Sequence, residues 1–142
     1  MNKMNHIARF LLGLMFLVFG LNGFLNFLPQ PQPEGAAAQF LGGLASAPYF
    51  FPLLKGTEVL VGIALLSNRF VPLALTVLAP ITVNIVAYHL FLAPAGIPMV
   101  AFITLLQVFL MWNQRAAYAS VLSARCETEA TEGAAGNLRA VA

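Results

Sequence analysis

The chain has 142 residues, 60% of them hydrophobic and only 8% charged, with a net charge of +2. A soluble domain carries roughly a quarter charged residues, and one domain of this length cannot hide so much apolar surface, so lipid is the fitting solvent. The basic residues are scattered, which argues against a nucleic-acid face. The single cysteine, Cys126, excludes an internal disulfide and argues against the paired-cysteine chemistry of membrane thiol oxidases.

The first predicted span covers residues 7–28. Lys3 and Arg9 ahead of an apolar core have the look of a signal peptide, but the segment is too long and lacks a small-residue cleavage site, so it reads as retained. Pro29, Pro31 and Pro33 end it sharply, because proline has no backbone donor and restricts its neighbour. From Gly35 to Leu44 comes a stretch too short to span. It is predicted as a small interfacial or re-entrant helix over the bundle mouth, where backbone must be covered by protein or water. The second span, residues 51–67, just reaches the length required. Asn68-Arg69 is a tight turn, residues 70–92 are the third span, and Ala93 to Pro98 turn the chain into the fourth span, residues 98–117. Pro98 suits a first helical turn. No internal repeat is visible. The expected fold class is therefore all-α: a transmembrane four-helix bundle within residues 1–122, then a mobile cytoplasmic tail over 123–142.

Basic residues set the orientation. Lys3, Arg9, Arg69, Arg115 and Arg125 all fall on one side of such a bundle, whereas the Pro-rich and 93–97 loops contain no Lys or Arg. The positive-inside rule puts both termini in the cytoplasm and the protein in the cytoplasmic (inner) membrane. Lys55 is the exception, early in span two on the outer side. Trp112 and Tyr118 would mark the inner interface, and Tyr49, Phe50 and Phe51 the outer one.

A helical rise of about 1.5 Å per residue then converts position into depth. Asn22 and Asn26 of span one, Glu58 of span two, Asn84 and His89 of span three and Gln107 of span four all come out in the outer half, within about 14 Å of the outer end. The inner half is expected to be almost purely apolar. The asymmetry predicts a polar pocket open to the outer face and roofed by the short helix.

Each member has a plainer reading. Asn22 and Asn26 share a helix face and serve equally as interhelical glue. Lys55 and Glu58, three apart, either pair with each other or leave Glu58 as a proton carrier or substrate anchor. Asn84 and His89, five apart, point about 140° apart and need different partners. His89 is open to hydrogen bonding, to proton transfer with Glu58, and to ligation of haem or chlorophyll as a single axial ligand. As a metal site the pair is poor, because zinc takes three or four protein ligands.

Three features resemble the DoxX-like family of small four-helix membrane proteins: the opening from Arg9 to Phe16 followed by Phe19-Gly20, the run Lys55-Gly56-Thr57-Glu58 leading to Leu65-Leu66, and the closing histidine of span three, His89. Together they cover about residues 7–118. The resemblance implies the four-helix bundle. Some members are linked to thiosulfate:quinone oxidoreductase and others to membrane complexes handling oxidative or thiol stress. This chain departs from the commoner pattern at Asn22, at Pro98 and at Trp112-Asn113-Gln114-Arg115, so only Arg9, Glu58 and His89 carry over by position.

Three functions compete. The leading expectation is a non-enzymatic accessory or assembly subunit of a larger respiratory or photosynthetic electron-transfer complex, with the lipid bilayer and membrane proteins as partners and no nucleic acid. It rests on the lack of a complete catalytic motif. The alternative is a quinone-linked oxidoreductase subunit, with a quinone or lipid in the outer pocket and Glu58 and His89 as proton source. Last comes a small-solute transporter, which the missing repeat and apolar inner half disfavour.

Overall fold

A computed structural model describes residues 3–119 of the chain. The expected tail, 123–142, lies outside the described residues. Six α-helices appear in chain order: α1 (Lys3–Leu25), α2 (Gly35–Ala45), α3 (Phe50–Leu66), α4 (Val71–Phe91), α5 (Ile97–Asn113) and the single-turn α6 (Arg115–Tyr118). A 3₁₀ turn, Pro94–Gly96, leads into α5. Among the described residues there is no strand. The fold is all-helical.

Three segments are long and apolar enough to cross a membrane: Lys3–Leu25, Val71–Phe91 and Pro94–Asn113. Helix α3, with 17 residues, joins them when it is taken together with α2, from which it is bent by 91°. Helices α1, α3, α4 and α5 share one core, in which Leu12, Leu65, Leu75 and Leu78 are fully buried among Phe16, Val71 and Leu110. The outer surface carries many large apolar side chains: Leu60, Val83 and Leu105 are each 69% exposed and Phe91 is 82% exposed. In water that surface would be a severe aggregation liability.

Helix α1 packs on α3 more closely than any other pair, and the cause is a row of glycines, Gly13, Gly20 and Gly23 on α1 and Gly62 on α3. A Cβ added at Gly13 would lie 2.9 Å from Leu65 Cβ. One added at Gly62 would lie 2.7 Å from the backbone nitrogen of Leu17. The two backbones touch where both lack a side chain, the small-residue contact that holds helices together in lipid.

The boundaries differ from the expected ones for local reasons. Helix α1 begins at Lys3, not near residue 7, because helical hydrogen bonding continues through the polar residues before the apolar run. It ends at Leu25 because Asn26 adopts a left-handed conformation (φ 48°), which Asn tolerates better than most residues. Helix α5 stops at Asn113, and Gln114 (φ −102°, ψ 15°) separates it from α6. Between α3 and α4 the chain reverses through two left-handed residues, Asn68 and Phe70. Pro80 inside α4 has no N–H to offer the carbonyl of Thr76 one turn earlier.

The alternating helices give the molecule two ends. The loop-helix end holds α2, the 3₁₀ turn, the end of α1 and the start of α3. There α2 contacts α3, and Phe40 of α2 reaches Tyr88 of α4 at 6.0 Å between ring centroids. The terminal end holds the start of α1, the α3–α4 turn and the end of α5.

Candidate functional site

The predicted pocket residues fall toward the loop-helix end and the middle, but they divide into separate contacts. Glu58 is only 3% exposed, and its carboxylate takes a hydrogen-bonded ion pair from Lys55 Nζ at 2.8 Å. The lysine stem reaches it by lying across Gly23 of α1, where an added Cβ would come within 2.5 Å of Lys55 Cδ. A methyl group there would displace the lysine, so glycine is what lets the stem run over apolar surface toward the carboxylate. Two charges at this depth are tolerable because they neutralise one another.

Asn22 is buried but turned toward its own chain. Its Oδ1 accepts from the backbone N–H of Leu28 at 2.7 Å, which anchors the segment leaving α1. Asn26 is exposed at the helix end. Gln107 and Thr82 clip α5 to α4: the Thr82 hydroxyl donates to Gln107 Oε1, and Gln107 Nε2 donates to the Leu75 carbonyl at 3.2 Å.

His89 bonds through Nδ1 to the Ile85 carbonyl at 2.9 Å. A carbonyl only accepts, so Nδ1 carries a proton and Nε2 is left on the ring's other edge. That edge lies flat against Gly96, where an added Cβ would sit 2.4 Å from Nε2. Among the described residues His89 and Glu58 share no hydrogen bond. Asn84 is exposed on α4, about 140° around the helix from His89. Among the described residues no group of three or more His, Cys, Asp or Glu side chains is placed to hold a metal.

Cavities lie beside these contacts. One, of about 290 Å³, is an apolar groove between α4 and α5 lined by Thr82, Val83, Val86, Thr104, Gln107 and Val108. Another, of about 360 Å³, opens at the terminal end. Its polar lining is Arg9 with four carboxamides, those of Asn5, Asn68, Asn113 and Gln114. Arg9 Nη1 donates to the carbonyls of Leu65 and Leu66 in the last turn of α3. Its Nε is buried without a partner. Beside the cleft, the Tyr118 hydroxyl donates to the Pro72 carbonyl at 3.0 Å. Burial pushes that phenol above its ordinary range, with Thr76 pulling the other way, so it stays a neutral donor at pH 7.

Sequence reasoning missed this cleft. It placed Arg9 among the family-matched residues and Asn68 in a turn, and treated the inner half as apolar. The available signal was the four-residue spacing of Asn5 and Arg9, which puts both on one helix face, at the end to which Asn68 and Asn113 also return. No family model matches the chain, and neither does any curated protein or solved structure.

Proposed function

We propose that the protein is an integral membrane protein in which α1, α3, α4 and α5 each cross the bilayer, with both termini in the cytoplasm, and that it serves as a non-enzymatic accessory or assembly subunit of a larger membrane complex. One observation carries the partner. The exposed face of α4 runs through Leu73, Val77, Pro80, Val83, Asn84 and Phe91 at helical spacing. In its middle, the carboxamide of Asn84 makes no hydrogen bond among the described residues. An amide facing hydrocarbon is costly, and a partner helix that hydrogen-bonds it removes that cost. The dispersal of Glu58, Asn22, Gln107 and His89 into separate, locally satisfied contacts supports a structural role for them. The electron-transfer setting rests on the DoxX-like resemblance alone.

The test is recovery from native expression in mild detergent. The wild type is expected in a larger species, and Asn84→Leu is expected to fold normally yet lose that partner. Recovery of the wild type only as a lone chain would sink the proposal. The quinone-linked reading keeps one supporting observation, the apolar groove beside Gln107. It predicts quinone-dependent turnover that Gln107→Leu abolishes, and absence of turnover in the wild type removes it.

A further inference from the structure

The cleft at the terminal end is built unlike any other polar place in the molecule. Its charge is cationic and its remaining polar groups are carboxamides, which can each donate and accept. The described residues contain two carboxylates, and neither reaches it. Glu58 is paired with Lys55, and Glu34 precedes α2 at the opposite end. Arg9 is thus a charge without a counter-charge among the described residues. It is also held in place: the bonds from Nη1 to the end of α3 fix the guanidinium plane, while Nε stays buried and unpartnered. Orienting a guanidinium in advance lowers the entropy lost when it forms its remaining bonds.

An oxyanion with several acceptor oxygens is the ligand these groups match. Guanidinium binds phosphate through charge-assisted N–H donors, and bonds of that kind are among the strongest a side chain makes. The amides of Asn5, Asn68, Asn113 and Gln114 line the same cleft, with Asn113 Nδ2 already donating one bond to the Phe109 carbonyl at 2.9 Å. The apolar part of the wall runs from the buried Val71 and Leu110 to Pro72 and the exposed Phe70, and it accommodates carbon attached to the anion. We infer that this cleft binds a phosphate group, carried by a lipid headgroup or free in solution. On the membrane reading above, the cleft opens at the cytoplasmic surface, where basic pockets between helices meet anionic headgroups.

The test uses the full chain in a nonionic detergent with three probes: dioleoylphosphatidic acid, dioleoylglycerol with the same acyl chains and no phosphate, and inorganic phosphate. Retention is read by native mass spectrometry and by the shift in thermal unfolding. Two variants accompany the wild type. Arg9→Gln removes the charge. Asn113→Asp places a carboxylate at the rim and leaves the Arg9 bonds to α3 intact, so it remains informative if Arg9→Gln fails to fold. The wild type should retain phosphatidic acid and not dioleoylglycerol, and each folded variant should weaken that retention on the order of tenfold. Displacement of phosphatidic acid by inorganic phosphate assigns the site to free phosphate, and persistence against it assigns the headgroup. Equal retention of the two lipids with no phosphate binding overturns the inference, as does full retention of phosphatidic acid in folded Asn113→Asp.

Discussion

The two ends of the molecule handle polar side chains in opposite ways. At the loop-helix end each buried polar group is matched to a near neighbour: Glu58 to Lys55, Asn22 to Leu28, His89 to Ile85. At the terminal end Arg9 caps two carbonyls and still has an unpartnered Nε beside a cleft of amides. Depth in the bundle does not separate these cases, since Glu58 is the more buried of the two ionised groups. What separates them is whether the hydrogen-bonding capacity is spent. A saturated polar group contributes to stability, and the guanidinium and amides that line the cleft are what a ligand there would meet.

Substitutions break or sharpen that contrast in order of size. Gly62→Val strikes the α1–α3 contact on which both ends depend. Its side chain meets backbone, not a movable tip, so a loss of about 3 kcal/mol, or failure to fold, is expected in detergent unfolding. Lys55→Met leaves the Glu58 carboxylate buried without its cation. The expected loss is about 2 kcal/mol, below the range for fully buried pairs because Lys55 is partly exposed. Adding Glu58→Gln should recover most of it, and a double variant as unstable as the single one would show that the pair is not the cause. Asn22→Ala should cost about 1 kcal/mol and speed amide exchange at Leu28 specifically. Gln107→Leu should cost about 0.6–1 kcal/mol, since interhelical hydrogen bonds in membrane proteins are individually modest. Asn113→Asp, at the unsaturated end, should change stability by no more than about 0.5 kcal/mol while weakening phosphate binding. A large destabilisation there would mean that the cleft amides are structural after all.

The helices were legible in the sequence because hydropathy and proline act locally. The short stretch from Gly35 and the turn at Asn68 each mark a boundary that the chain observes, whereas α1 ends four residues before Pro29, the first proline of the run expected to stop it. The pairing of Lys55 with Glu58 was legible as one of two readings, because residues three apart are neighbours on a helix face. The divergence of Asn84 and His89 followed from their offset in the same way. Two things were not legible. The end of α1 depends on a left-handed Asn26 and on a bond from Asn22 to a residue beyond the helix, and hydropathy carries no sign of either. The cleft draws on the start of α1, the α3–α4 turn and the end of α5, so it exists only once the helices have met. A depth scale also treats every polar residue alike, and cannot say which of them finds a partner.

The glycine contact bears on how the chain is made. In a membrane, α1 emerges first, with a notch at Gly13 that fits nothing until Gly62 follows. Its backbone there cannot be covered by its own side chains. Until α3 arrives, lipid or the insertion machinery must fill the notch, so α1 is an unfinished surface during biogenesis. A stall placed between α2 and α3 should therefore lengthen the time α1 spends at the insertion site, and a bulkier residue at Gly13 should shorten it.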